Sequence, residues 1–142
     1  MIVALMVTSC KTPQKTKSND SANLFSMKST SCMGECPLYE LSIDESYTVY
    51  FNGIQYTNIS GKMSKKLSAE DKKMVMGVIE KVKWSKLEDK YTSNMSDLPS
   101  YVFSYQSNGM IKKVSQYGSE PESLNALRKN LLAIVDQKDF YK

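Results

Sequence analysis

Two Asn-Gly dipeptides, Asn52-Gly53 and Asn108-Gly109, each lie between runs rich in β-forming residues. Both residues tolerate the positive φ of a type I′ turn, so the dipeptide is a strong short-range signal for a two-residue hairpin. The first pair is expected to join Tyr47–Phe51 to a strand running from Ile54 to about Lys66, bent at Ser60-Gly61. The second joins Tyr101–Gln106 to Met110–Gln116. Ile111 and Val114 are three apart in that last arm, which breaks the two-residue period and implies a bulge. Upstream, Leu38–Ile43 alternates, with Tyr39, Leu41 and Ile43 on one face and Glu40 and Ser42 on the other. Asp44-Glu45-Ser46 turns the chain after it, and Leu24–Thr30 is a short first strand.

Two segments change to helical spacing. Ser68 can cap a helix whose first turn carries Glu70 and Asp71 and whose apolar stripe is Val75, Val78, Ile79 and Val82. Trp84 and Leu87 close it against the sheet. Pro121 suits the start of a final helix with Leu124, Leu127, Leu131, Ile134 and Val135 on its buried side. The order predicts an α+β domain over residues 24–142: an antiparallel sheet of about five to six strands with two helices packed on one face.

The chain has no histidine. That removes the commonest general base and metal ligand, and with them Ser-His-Asp, Cys-His and histidine-containing zinc sites. No glycine-rich phosphate loop, paired-carboxylate motif or metal loop is present, so no cofactor, no metal and no catalytic residue is expected. A net charge of +4 is too small an excess to argue for nucleic acid.

Met1–Val7 is an apolar run that leads into Thr8-Ser9-Cys10. It has the end of a secretory h-region and a small-residue cleavage site but no basic n-region, so the true start codon is expected upstream. Val7-Thr8-Ser9-Cys10 resembles a bacterial lipobox, which implies cleavage before Cys10 and its acylation, with palmitate among the chains. Residues 1–9 are then a truncated signal segment. Residues 10–23, polar from Lys11 to Asp20, form a solvated tether. Several acyl chains on one residue hold a protein stably at a membrane. The expected location is the cell envelope, assigned here to the outer membrane.

With Cys10 acylated, Cys32 and Cys36 remain, and an even remainder in an exported chain suggests a disulfide. Four positions apart, they can pair only across a tight turn, for which Gly34 offers positive φ and Pro37 an extended exit. Such a closure stabilises by about 2 kcal/mol on the chain-entropy account. A redox-active pair is the alternative, although that role more often uses Cys-x-x-Cys. Free thiols and half of a metal site stay open as lesser readings.

Cys32-Met33-Gly34-Glu35-Cys36-Pro37-Leu38-Tyr39 resembles the Cys-x-Gly-x-Cys-Pro-x-Tyr motif of an uncharacterised bacterial lipoprotein family, domain of unknown function 6438. Tyr91-Thr92-Ser93-Asn94 and Asp97-Leu98-Pro99 are similar to that family's pattern before its second hairpin. The resemblance runs from about Leu24 to the C-terminus. One departure is Asp44-Glu45-Ser46, where a glycine-containing turn is expected. The resemblance implies fold and location and supplies no mechanism.

Candidate binding residues follow from the register. Tyr39, Tyr47, Tyr101 and Tyr105 fall at inward strand positions, while Tyr50 and Tyr56 are expected on the opposite, uncovered face as part of a binding surface. Packing alone explains them equally well. Asp97 could share a site with Tyr91 or Tyr39, but aspartate beside Leu98-Pro99 is common turn chemistry. Nine lysines between Lys62 and Lys90 stand against five acidic residues. They could meet anionic lipid or glycan, or simply form a solvated helix face. The functional expectation is a non-catalytic binding or structural module. It is held at the membrane through Cys10 and recognises an envelope protein or glycan. The alternative is a periplasmic thiol–disulfide protein acting through Cys32 and Cys36.

Overall fold

The computed structural model describes residues 23–142. Residues 1–22, and with them Cys10 and the tether up to Ala22, lie outside the described part; Asn23, expected as the tether's last residue, opens the first strand. Seven strands form one sheet: β1 (Asn23–Ser29), β2 (Leu38–Asp44), β3 (Thr48–Gln55), β4 (Gly61–Lys66), β5 (Lys90–Tyr91), β6 (Ser100–Ser107) and β7 (Met110–Tyr117). Helices α1 (Ala69–Glu80) and α2 (Glu122–Val135) follow β4 and β7. Strand order across the sheet is β4-β3-β2-β1-β6-β7-β5. The domain is α+β as expected, but the sheet has more strands than expected and is mixed. Its two-residue β5 runs parallel to β7, pairing Lys90 with Ser115 and Tyr91 with Gln116.

Asn108-Gly109 makes the expected hairpin. Both residues have positive φ (49° and 78°), and Ser107 faces Met110 across the turn. Asn52-Gly53 does not. Both residues lie inside β3, with Asn52 paired to Glu40 and Lys62 and Gly53 to Tyr39 and Gly61. The turn comes later, at Tyr56–Ser60, so the long third strand becomes the end of β3 and a separate β4. Gly53 is needed for close approach instead: a Cβ there would lie 1.7 Å from the Ile59 carbonyl oxygen.

Three smaller expectations also change. β6 and β7 pair without a register shift, so there is no bulge; Ile111 faces solvent and Val114 faces the core. The shifts occur instead at Asn23/Phe25 and Leu38/Tyr39. Tyr47 is a turn residue at φ 58°, not an inward strand position, and takes the left-handed place expected of a glycine. Its amide donates to the Asp44 carbonyl, and the Lys72 ammonium sits 3.4 Å above its ring.

One core joins a single sheet face to both helices. Phe25, Met27, Leu41, Ile43, Val49, Phe51 and Phe103 are buried against Val75 and Ile79 of α1 and Leu124, Leu127, Leu131 and Val135 of α2. Ser68 caps α1 by accepting from the Asp71 amide at 3.1 Å. Trp84 stacks on Tyr105 with centroids 4.9 Å apart and donates its indole N–H to the Ile79 carbonyl, closing the layer beyond α1. The edge strand β4 carries Lys62, Lys65 and Lys66, which discourages further strand pairing.

Candidate functional site

The pairings bring four connections to one end of the sheet. Ser29 faces Tyr101, Tyr39 faces Gly53, Gly53 faces Gly61, and Ser100 faces Tyr117. Residues 30–37, 56–60, 92–99 and 118–121 therefore lie side by side. Most are pinned. Cys32 and Cys36 form a disulfide with Cα atoms 5.9 Å apart, inside the range pairing requires. Gly34 is not among the described glycines with positive φ, so the loop closes without the left-handed turn expected there. The buried Ser29 hydroxyl donates to the Pro37 carbonyl (2.9 Å) and accepts from the Tyr39 amide (2.8 Å), tying the disulfide loop to β1 and β2.

Neighbouring loops are fastened in the same way. Thr30 and Ser100 exchange hydrogen bonds, Thr30 N–H to the Ser100 carbonyl at 2.9 Å and Ser100 N–H to the Thr30 hydroxyl at 3.1 Å. The Tyr117 hydroxyl donates to the Met95 carbonyl (2.9 Å) and accepts from the Leu98 amide (3.4 Å). Asn58 donates to Asp136 at 3.1 Å. The two segments that carry the sequence resemblance, 32–39 and 91–99, are thus adjacent.

Helix α2 passes beneath this end. Its start is held by the Asn125 amide on the Ser119 carbonyl, Arg128 lies 4.5 Å from the Tyr101 ring centroid, and Asp136 beyond its end meets Asn58. Tyr39 is 1% exposed, and burial holds its phenol well above the usual range, with the Arg128 charge acting against that rise. Burial also raises the Asp136 carboxyl, opposed by hydrogen bonds from Ile59 and Asn58. These groups build a packed polar seam under the loops.

Among the described residues, nothing covers the face opposite the helices. Pairing lines up Ser64, Tyr50, Ser42, Ser26 and Ser104 in one row across β4, β3, β2, β1 and β6. Lys62, Asn52, Glu40 and Lys28 form the adjoining row. All of these except Ser104 line a shallow depression of about 610 Å³. Lys28 and Glu40 make an ion pair at 2.7 Å, and the Lys28 hydrogen bond holds the Glu40 carboxyl below its ordinary value. Tyr50 is 45% exposed and donates its hydroxyl to Asp44 at 3.1 Å.

A family model for a domain of unknown function, DUF6438, matches residues 23–135. The chain belongs to this family. No curated protein and no solved structure matches it.

In this DUF6438 domain the candidate residues do not form one cluster. Tyr50 lies in the open-face depression, whereas Tyr56 sits in the β3–β4 turn at φ 54°, not on the sheet face as expected. Tyr91 is half-buried and its hydroxyl accepts from the Glu88 amide at 2.9 Å. Asp97 is exposed in a left-handed turn position (φ 64°), and among the described residues no hydrogen bond or ion pair joins it to Tyr91 or Tyr39. Several lysines of the basic middle are engaged within the fold: Lys65 pairs with Asp71 at 2.8 Å, Lys66 donates to the Ser46 carbonyl, and Lys72 covers Tyr47. Not foreseen were Ser26, Ser64 and Asn52 on the open face and Arg128 beneath the loops. Alternation along β1 could have flagged Ser26. Nothing local could have flagged Arg128, whose place depends on α2 crossing the sheet.

Proposed function

We propose that this DUF6438 protein is a non-catalytic binding module of the cell envelope, anchored in the outer membrane through lipid on Cys10, that recognises an envelope glycan through its open sheet face. The carrying observation is the uncovered depression itself. Serine hydroxyls, Asn52, a Lys28–Glu40 pair and one exposed aromatic ring at Tyr50 offer hydrogen bonds and a stacking surface on a rigid sheet. The apolar N-terminal run and Val7-Thr8-Ser9-Cys10 support the anchor. The bonds that fasten the loop between Cys32 and Cys36 favour a structural bridge over a redox pair.

Co-sedimentation of the full chain with isolated cell-wall glycan tests this reading. The wild-type protein is expected to pellet with the glycan, and Tyr50→Ala with Asn52→Ala to stay in solution. Equal pelleting of the double variant, or none by the wild type, would remove the open face as the site.

A further inference from the structure

A second surface lies at the loop end of the sheet, separate from the open face. Of the eight large apolar side chains exposed among the described residues, three lie there: Met33 (83%), Met95 (66%) and Tyr56 (51%). They stand on or beside the connections 30–37, 56–60 and 92–99, which the strand pairings place next to one another. Surface residues of this kind do not stabilise the fold, since their side chains are out in water. The loops that bear them are nevertheless held by a disulfide and a series of hydrogen bonds. Holding exposed apolar groups on fixed loops lowers the ordering cost of binding.

The four connections themselves carry charge of one sign. Connections 30–37, 56–60, 92–99 and 118–121 contain Glu35, Asp97 and Glu120 but no lysine or arginine, in a chain with nineteen basic residues. The closest basic strand residues share one row of the sheet: Lys28 and Lys62 line the open-face depression, and exposed Lys90 lies at the far edge on β5. Arg128 is turned against the Tyr101 ring. Exposed apolar side chains interspersed with acidic ones complement an apolar face bordered by basic side chains.

We propose that the loop end is a docking surface for a protein segment that presents an apolar face bordered by lysine and arginine. Met33 and Met95 supply adaptable contact area, as thioether side chains do at binding surfaces. Glu35 and Asp97 steer the basic border. The surface does not depend on the glycan reading or on the anchor.

Methyl-labelled methionine NMR on the full 142-residue chain tests the proposal. The probe is a synthetic amphipathic peptide with a leucine face flanked by lysine and arginine; its counterpart has glutamate at every basic position. The basic peptide is expected to move the Met33 and Met95 methyl signals and leave Met74, on α1, in place. Glu35→Lys with Asp97→Lys should weaken binding about tenfold, as should Met33→Ser with Met95→Ser. The Met74 signal reports that each variant is folded. Equal binding of the acidic peptide, shifts confined to Met74, undiminished affinity of the charge-reversed variant, or no response of Met33 and Met95 at millimolar peptide would each overturn it. So would anionic phospholipid vesicles that shift Met33 and Met95 when the peptide does not.

Discussion

The two ends of the sheet are built differently. At one end the connections are tight turns, Asp44 to Tyr47 and Asn108-Gly109, made by residues that hold positive φ. Asp44 alone organises the first: its carboxylate accepts from the Ser46 and Thr48 amides and from the Ser46 and Tyr50 hydroxyls. At the other end four longer connections are fastened to strands, to one another and to α2. Short turns need only local chemistry, whereas the longer loops keep their shape through contacts distant in sequence. The first kind of end closes a scaffold, and the second can present side chains without giving up order.

Substitutions that separate the two ends sharpen this contrast. The largest loss is expected at Gly53→Ala, where the added methyl meets the Ile59 carbonyl; chemical denaturation should show about 3 kcal/mol of destabilisation. Ser29→Ala should follow at about 2 kcal/mol, because it strands the buried Tyr39 amide and frees the disulfide loop, with fewer ordered amides in that loop by hydrogen exchange. Cys32→Ser with Cys36→Ser should cost a similar 2 kcal/mol or so on the loop-closure account. At the turn end Gly109→Ala, held at φ 78°, should cost only about 1 kcal/mol in the same measurement. If Gly109→Ala proved worse than Ser29→Ala, the assignment of scaffold and presenting ends would be reversed.

The smallest effect is on pH dependence. Burial works against ionisation of Asp44, but the hydrogen bonds from Thr48, Ser46 and Tyr50 outweigh it and hold the carboxyl below its ordinary value. A depressed acid binds fewer protons in the folded state, so its contribution is present above the unfolded pKa of about 4 and lost as pH falls through the lower folded value. Asp44→Asn should therefore lower stability modestly at pH 7, where that contribution is present, and flatten the acid limb of a stability-versus-pH curve below about pH 4, where the wild type loses it too. An unchanged acid limb would contradict the role given to Asp44.

Much of this architecture was legible in the residues. Alternation places Tyr39, Leu41 and Ile43 correctly, and Ser68 marks the start of α1. The two Asn-Gly dipeptides show where local reading stops. At Asn108-Gly109 nothing competes with the turn. At Asn52-Gly53 the chain instead continues four residues further, because β3 must pair with Tyr39 on one side and Gly61 on the other. A two-residue strand such as β5 carries no period to detect. The loop end itself was invisible as a unit. Its parts, Met33, Tyr56 and Met95, are more than sixty residues apart at the extremes and meet only through strand order.

Intact mass spectrometry of the protein extracted from native membranes tests the central claim, an anchored module with an oxidised loop, most directly. The expected species begins at Cys10, carries acyl chains on that residue, and is two hydrogens lighter than its chemically reduced form. A non-acylated chain that still contains Met1–Ser9, with Cys32 and Cys36 both as thiols, would contradict it.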